Sequence, residues 1–173
     1  MPTASTLRPL ASLLALLALI GLLAAVFSAG ASAATTTTLN FNEPEKGSTF
    51  TYVDVAPTAP KKHGFPTAIS PGDQLILTNP LTEGAKTIGK LRARCTATAS
   101  AKTTSNTAFL QAHFICEGVF TLPGGTLYGN ASIVKGGTEG AITGGTGKYA
   151  GAGGTILSKE VKGGSATTIT LLE

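Results

Sequence analysis

Aromatic, sulfur-containing and charged side chains are scarce in this sequence of 173 residues. It contains no tryptophan, one methionine, two cysteines and two histidines, and 13% of its residues are charged. His63 lies in a proline-rich stretch and His113 lies in a predicted strand, facing outward, so neither has the spacing of a metal ligand or lies beside a plausible nucleophile. We therefore expect no metal, no cofactor and no Ser-His-Asp triad.

Positive charge is too thinly spread to indicate a nucleic-acid partner. The formal net charge is +4, and the two basic clusters, Lys61-Lys62-His63 and Arg92-Ala93-Arg94, contain none of the aromatic residues that stack on bases. Gly145 to Ala150 matches a loose dinucleotide-binding pattern, but no helix is predicted to begin there, as that pattern requires. The sequence argues against nucleic acids and dinucleotides as ligands.

The one long hydrophobic run, Leu10 to Phe27, lies at the N-terminus, between Arg8 and Ala31-Ser32-Ala33. A positive flank, an apolar stretch and an A-x-A site are typical of a secretory signal peptide, so we predict that residues 1–33 are removed by cleavage after Ala33. The alternative is a membrane anchor, for which the run is of borderline length. Cleavage leaves residues 34–173 as a single secreted domain with no membrane attachment.

After Ala34 no helical period is visible, and β-branched and aromatic residues gather in short runs bounded by Gly, Pro and Asn. The predicted strands are Thr35 to Asn42, Phe50 to Val55, Asp73 to Asn79, Thr87 to Ala99, Ala108 to Leu122, Gly125 to Val134, Ala141 to Thr143, Gly154 to Val161 and Ala166 to Leu172. Short connections between them predict an all-β antiparallel barrel or sandwich, and we favour a closed up-and-down barrel of about eight strands.

Two segments depart from this pattern of short strands and short connections. Ala56 to Gly72 contains four prolines and no apolar alternation, which predicts a long irregular loop over one mouth of the barrel, as lids and binding loops often are. Of the 22 glycines, 15 fall between Gly118 and Gly164, which predicts tight turns and close backbone contacts there. A low-complexity linker is the alternative, but apolar residues return regularly through this region.

The two cysteines lie in a predicted hairpin. A turn at Thr104 to Thr107 places Cys95 opposite Cys116 and Arg94 opposite Glu117, an attractive cross-strand charge pair. Directly opposed residues of antiparallel strands are within disulfide range, and cysteines of an exported domain oxidise. We predict a Cys95–Cys116 disulfide that faces the core; the alternatives are two free buried thiols or a thiol that lines a ligand cavity.

The segment from Ala141 to Thr155 combines a Thr143-Gly144-Gly145-Thr146-Gly147 turn, an aromatic residue at Tyr149 and a glycine-led entry into the next strand. It resembles the signature hairpin of the allene oxide cyclase and dirigent β-barrels. Asn40 to Ser48 and Gly72 to Leu81 also resemble segments of the cyclases, so the resemblance covers most of the chain after Ala34. It implies an eight-stranded barrel that holds a small hydrophobic molecule and assembles as a homotrimer.

In the plant cyclases an ordered water, held by two Asn side chains, a Ser hydroxyl and a Pro carbonyl, binds the oxygen of an epoxide substrate. The resemblance implies catalytic roles for Asn42, Ser48 and Asn79, whose amide and hydroxyl groups suit that task. It turns Asn40 and Asn42 inward, whereas plain alternation would bury Leu39 and Phe41 instead. The implied ligand-binding residues are Asn40, Thr49, Leu75, Leu77 and Phe114, with Cys95 at the position that shapes the substrate.

Two departures from the cyclase pattern weaken the case for the plant reaction. Thr49 stands where the family has the clamp proline, and Asn40, a neutral amide, stands where it has a charge-stabilising Glu. The sequence favours a secreted barrel that binds a small hydrophobic molecule, with dirigent-like steering of its reaction. The alternatives are a cofactor-free cyclase or isomerase and a structural or defensive barrel with a packed interior. Dirigent proteins also use acidic pocket residues, but Asp54, Asp73 and Glu117 are interpreted here as solvated surface carboxylates.

Overall fold

The computed structural model describes residues 35–62, 65–102 and 112–172, which lie within a compact unit from Thr35 to Glu173. The predicted signal peptide, His63 and the turn at Thr104 to Thr107 lie outside the described residues. The described part is all strand and loop, without a helix. Its strands are β1 (Thr36–Pro44), β2 (Thr49–Val53), β3 (Lys61–Lys62), β4 (Phe65–Pro66), β5 (Ala68–Ile69), β6 (Gln74–Glu83), β7 (Lys86–Ala97), β8 (Ala101–Lys102), β9 (Phe114–Leu122), β10 (Gly125–Val134), β11 (Gly137–Gly147), β12 (Gly153–Val161) and β13 (Gly164–Leu172).

The main strands form a closed antiparallel barrel, as predicted. The sheet order is β1-β13-β12-β11-β10-β9-β7-β6-β2, and β1 also pairs with β6 through Asn42 and Thr82, which closes the sheet on itself. β1 pairs with one end of β6 and β2 pairs with the other end. The two strands therefore occupy one of the eight strand positions of the barrel together. Closure joins the two ends of the sheet order into an up-and-down barrel, in which β2 pairs with β6 alone among the described strands.

The predicted register of the central hairpin is confirmed. Cys95 pairs directly with Cys116 in the β7–β9 ladder, and the two form a disulfide with an S–S distance of 1.99 Å. On the opposite face Arg94 Nη2 lies 2.8 Å from Glu117 Oε2. Strand parity therefore sends the cysteines into the barrel and the ion pair to the solvent, because successive side chains of a strand point to opposite faces.

The glycine-rich region forms strands rather than a linker, and β11 is longer than the predicted Ala141 to Thr143. A Cβ atom on Gly140 would lie 2.2 Å from the carbonyl oxygen of Asn130, so this position needs glycine for the close approach of β10. The hairpin of β11 and β12 bends between Gly147 and Gly153, and its Tyr149 folds into the barrel end, where the side chain is buried.

The loop before β6 is mostly irregular, as predicted, although it contains the two-residue strands β3, β4 and β5. Its anchor is Asp73, whose side chain is fully buried, so the interpretation of Asp73 as a solvated surface carboxylate is wrong. Asp73 Oδ1 accepts a hydrogen bond from the Val55 amide at 2.9 Å, and Oδ2 accepts one from the Ser70 amide at 2.8 Å and another from the Tyr52 hydroxyl. One carboxylate thus fastens both ends of the loop.

The same contacts set the ionisation of the anchor. Burial raises the pKa of Asp73, but the hydrogen bonds it accepts outweigh burial and hold that pKa below the usual aspartate value. Burial and the neighbouring Asp73 raise the pKa of the Tyr52 hydroxyl, because a phenolate would lose its hydrogen bond and face a negative charge. Asp54 is half-buried, and its Oδ2 accepts a hydrogen bond from the Ala59 amide at 3.2 Å, so its interpretation as a solvated surface carboxylate is also wrong. Glu117 is exposed and paired with Arg94, as predicted.

Candidate functional site

The barrel interior contains two buried clusters and a cavity between them. One buried cluster contains Phe41, Leu81, Phe120, Leu122, Leu127, Ile142, Tyr149, Ile156, Ile169 and Leu171. A second, beneath the loop before β6, contains Ile69, Leu75, Cys95, Ala97, Ala112, Phe114 and Cys116. A cavity of about 190 Å³ is lined by members of both clusters. We refer to it as the lumen cavity.

Most of the lumen cavity wall is apolar. Its lining includes Leu77, Leu91, Ala93, Phe120, Ala131, Ile133 and Ile156. The Cys95–Cys116 disulfide forms part of the same wall, and the chain has no free cysteine. A free thiol that lines the cavity, one of the alternatives left open by the sequence, is therefore excluded.

A carboxylate at the end of β1 is the main polar feature of the cavity. The side chain of Glu43 is 9% exposed, because Phe41 and Glu43 follow the inward parity of β1. Its Oε2 accepts a hydrogen bond from Asn79 Nδ2 at 2.8 Å, and its Oε1 accepts one from Thr167 Oγ1 at 2.6 Å. Thr167 Oγ1 also lies 3.0 Å from Ser158 Oγ, so a second hydroxyl supports the first.

Strands that are distant in sequence but adjacent in the closed barrel supply this cluster. Glu43 comes from β1, Asn79 from β6, Ser158 from β12 and Thr167 from β13, and all four line the lumen cavity. Because β1 lies between β6 and β13, its inward carboxylate is within reach of polar side chains on both neighbours. A carboxylate held from two sides is preorganised, which suits the binding of a hydrogen-bond donor or the stabilisation of developing positive charge.

The structure separates the residues that the resemblance grouped together. Asn79 lies in the lumen cavity, whereas Asn42 is exposed on the outer face of β1 and Ser48 lies in the following turn, where its hydroxyl donates to Pro44 O at 2.7 Å. Asn40 is also exposed, and its Oδ1 accepts a hydrogen bond from Thr168 Oγ1 at 2.9 Å. The inward orientation expected for Asn40 and Asn42 is therefore wrong.

The physical reason for this correction is the alternation of β1. Phe41 is 4% exposed and its ring centroid lies 6.0 Å from that of Phe120, so burying this aromatic residue fixes the parity of the strand. A shift by one residue would exchange the two faces and expose Phe41. Simple alternation along β1 predicts that Leu39 and Phe41 face inward, and this prediction is confirmed. The resemblance predicts the opposite face.

The remaining predicted ligand-binding residues fall into three places. Leu77 lines the lumen cavity, and Leu75 and Phe114 pack in the cluster beneath the loop. Thr49 is exposed at the start of β2. The residues that the sequence analysis missed are Glu43, Ser158 and Thr167. The alternation that buries Phe41 also turns Glu43 inward, and this signal could have identified the carboxylate.

The described residues contain neither a metal-binding cluster nor a helix that could span a membrane. Among them, no group of three or more His, Cys, Asp or Glu side chains is arranged to hold a metal ion. Within residues 35–62, 65–102 and 112–172 there is also no helix of the length and apolarity needed to cross a membrane.

Three solved structures share the barrel. A pyocyanin demethylase is similar at a TM-score of 0.56 and 21% identity, over 79% of this chain and 99% of that one. A heme-binding cyclase that catalyses a 4+2 cycloaddition in neoabyssomicin biosynthesis is similar at 0.55 and 20% identity, over 100% of this chain and 83% of that one. The Diels–Alderase AbmU from Streptomyces koyangensis gives 0.53 and 18% identity, with the same coverage of 100% and 83%.

At these identities the similarity establishes a common fold. No family model matches the sequence, and no curated protein matches it.

Proposed function

We propose that this protein is an exported barrel that binds one small, largely apolar molecule in its lumen cavity, and that it is a distant relative of the allene oxide cyclase and dirigent barrels. The observation that carries this proposal is the cavity of about 190 Å³ with one buried carboxylate in an otherwise mostly apolar wall. Binding sites for small molecules typically combine apolar walls with a few well-placed polar groups.

The cavity volume limits the size of the ligand. An apolar protein cavity of about 150 Å³ accepts benzene, and drug-sized ligands need about 300 Å³ or more. At about 190 Å³ the lumen cavity suits a single ring with a short substituent, or a short branched chain. Its half-buried lining residues Ile133, Thr138 and Ser165 lie where β10 ends and where β11 and β13 begin. We therefore place the entry at this end of the barrel, beside the cluster that packs beneath the loop before β6.

The solved structures with the same fold are consistent with this use of the barrel. Their names describe a demethylase, a cyclase and a Diels–Alderase, each of which acts on a small molecule. Those activities belong to those proteins. For this chain they support binding of a small organic molecule, and steering of that molecule's reaction is the next property to test.

A cofactor-free cyclase or isomerase is the second candidate, and the Glu43–Asn79 pair favours it. A fixed carboxylate in a confined apolar site can stabilise positive charge that develops in a transition state. Asn42 and Ser48 are not placed to form the water clamp of the plant cyclases with Asn79, so any catalysis here would rely on Glu43 and its donors. Once a turnover is known, Asn79→Leu should abolish it, and an unchanged rate would exclude this mechanism.

A fully packed structural barrel is the third hypothesis. Leu75 and Phe114 do fill one end of the lumen, but Leu77 and Phe120 line open space.

Binding of a simple aromatic compound tests the proposal. Ala93 lines the lumen cavity, so Ala93→Leu should fill part of it and weaken the binding of toluene, followed by NMR chemical-shift changes. Ala141→Leu is the matched control, because it adds the same side chain on the exposed face of β11. Shift changes confined to residues outside the cavity, or equal binding by both variants, would exclude the lumen as the site.

Export and assembly complete the proposal. Exposed apolar side chains on the outer face, among them Ile76 at 45% and Ile115 at 54%, are available for contact with a second copy and support the trimer expected from the resemblance. Native mass spectrometry of protein from a secreting host should give a trimer whose chains begin at Ala34. A monomer, or a chain that retains residues 1–33, would contradict these two parts of the proposal separately.

A further inference from the structure

The polar and apolar residues of the lumen cavity lie on opposite sides. The polar side chains come from five consecutive strand positions, β6, β1, β13, β12 and β11, and are Asn79, Glu43, Ser165, Thr167, Ser158 and Thr138. The other three positions, β7, β9 and β10, contribute no polar side chain apart from the disulfide sulfurs; their lining residues include Leu91, Ala93, Phe120 and Ala131. Leu77 and Ile156 are the apolar residues on the polar side. A ligand in this cavity meets a carboxylate and hydroxyls on one side and hydrocarbon on the other.

Glu43 has hydrogen-bonding capacity that its protein partners do not use. Each of its oxygens accepts one hydrogen bond, from Asn79 and from Thr167, whereas a carboxylate offers about four acceptor positions. The ion pair that forms among the described residues is Arg94–Glu117, which lies on the surface. No Lys or Arg nitrogen of the described residues lies within 4.0 Å of Glu43. The buried carboxylate therefore lacks a cationic partner among the residues that surround it.

We propose that the lumen ligand is an organic cation: a protonated amine attached to a single apolar ring or short chain, with the ammonium on Glu43 and the hydrocarbon against β7, β9 and β10. This inference rests on the proposed function and names the ligand class of the same site. The amine supplies the charge and the hydrogen-bond donors that the buried carboxylate lacks.

The surrounding groups favour this class over its neutral and anionic analogues. An ammonium has three N–H donors and no acceptor, so it can donate to Glu43 and to nearby hydroxyl oxygens such as those of Ser158 and Ser165. A carboxylate ligand would meet Glu43 across a cavity of low dielectric, where like charges repel strongly. An alcohol can donate a single hydrogen bond, and a pure hydrocarbon leaves the carboxylate without a new partner.

Four compounds of nearly equal size test the charge preference on the wild-type protein. We would measure dissociation constants at neutral pH by isothermal titration calorimetry for 2-phenylethylamine, 2-phenylethanol, ethylbenzene and phenylacetate. The amine should bind about 10- to 100-fold more tightly than the alcohol and the hydrocarbon, as expected for hydrogen bonds to a charged group, and phenylacetate should bind most weakly.

A matched pair of substitutions assigns the preference to Glu43. Glu43→Gln should remove most of the advantage of the amine and leave the binding of ethylbenzene within about threefold of wild type. Glu139→Gln is the control, because Glu139 is exposed on the outer face of β11 and its replacement changes the net charge equally. If Glu43→Gln does not fold, the wild-type ranking still decides the matter.

The outcomes separate this inference from the proposed function. Equal binding of the amine, the alcohol and the hydrocarbon, all blocked by Ala93→Leu, would retain the cavity and overturn the charge preference. Tight binding of the amine that Glu139→Gln abolishes and Glu43→Gln does not would place the cation on the surface and overturn the inference. Failure of all four compounds to bind would overturn the lumen site itself.

Discussion

Tyr52 donates its phenolic hydrogen bond to the fully buried carboxylate of Asp73. This contact joins β2 to the start of β6, and the same carboxylate receives the backbone amides of Val55 and Ser70 from the two ends of the intervening loop. A single ionised side chain therefore fastens both ends of the loop that covers one end of the barrel, and the stability of this attachment should depend on the partners of Asp73 and on pH.

Loss of the Tyr52 hydroxyl should destabilise the protein. Tyr52→Phe retains the ring and removes a donor to a buried charge, which typically costs about 1.5–3 kcal/mol of unfolding free energy. Urea denaturation of the variant and of Tyr128→Phe, which removes an exposed hydroxyl from the outer face, would measure the difference. A similar loss in both variants would mean that the Asp73 contact is not its source.

The same hydroxyl should produce sensitivity to alkali. The folded pKa of Tyr52 is raised, so its contribution to stability is complete below the ordinary tyrosine pKa of about 10 and is lost as the pH rises above that value. The unfolding free energy of the wild type should therefore fall between about pH 10 and 11 more steeply than that of Tyr52→Phe. If the unfolding free energies of the two proteins fell in parallel over this pH range, the raised pKa of Tyr52 would be contradicted.

Acid should weaken the loop anchor through Asp73. Because the folded pKa of Asp73 is lowered, its contribution is fully present above the ordinary aspartate pKa of about 3.9 and is lost as the pH falls through the lower folded pKa. Asp73→Asn should be less stable than wild type at neutral pH and should lose less stability on acidification. Denaturation curves from about pH 6 to 2 would show whether the two proteins converge, as this predicts.

Reduction of the disulfide should lower the free energy of unfolding by about 3 kcal/mol, because the cysteines close a loop with a sequence separation of 21. Urea denaturation with and without dithiothreitol would measure this loss. The double variant Cys95→Ala/Cys116→Ala serves as the control and should be insensitive to the reductant. An effect of the reductant on that variant would point to another cause.

Two glycines of β11 should respond differently to alanine. Gly140→Ala should destabilise the protein by about 1–3 kcal/mol, because its new Cβ would lie 2.2 Å from the backbone oxygen of Asn130. A Cβ on Gly144 meets no atom within 4 Å, so Gly144→Ala should be close to neutral. Thermal denaturation of the pair tests whether close backbone approach, rather than flexibility, requires glycine in this strand.

The surface ion pair Arg94–Glu117 should contribute little to the free energy of unfolding. Its side chains are 58% and 67% exposed, and such pairs typically contribute about 0.2–1 kcal/mol. A double-mutant cycle with Arg94→Ala and Glu117→Ala should give a coupling energy in this range that shrinks in about 1 M salt. A larger, salt-insensitive coupling would contradict the exposed geometry.

The barrel could be predicted from sequence because its signals are local. A hairpin turn and the alternation of side chains were enough to place Cys95 opposite Cys116 and to send both inward. The extent of β11 was missed because its glycines read as turn residues, and their reason lies in the backbone of β10. Short-range patterns identify strands, but they do not reveal how closely neighbouring strands approach.

The candidate site was harder to predict because its partners are remote in the chain. Glu43 and Thr167 are 124 residues apart, and only closure of the barrel brings them together. The resemblance also predicts the wrong face of β1, because it turns Asn42 inward, whereas Glu43 is the residue that faces the lumen. The burial of Asp73 is missed for a similar reason, since two of its hydrogen-bond donors, Tyr52 and the Val55 amide, lie 21 and 18 residues away in the sequence.

The two sulfur atoms that join β7 to β9 also form part of the wall that a ligand would touch. Covalent stability and cavity shape are therefore properties of the same pair of residues, and neither can be altered alone. A variant made to resist reducing conditions by replacing Cys95 and Cys116 would present a different surface to its ligand, whereas a bound ligand would shield the bond from reductant. Engineering this barrel for another environment therefore changes the wall of its lumen cavity as well.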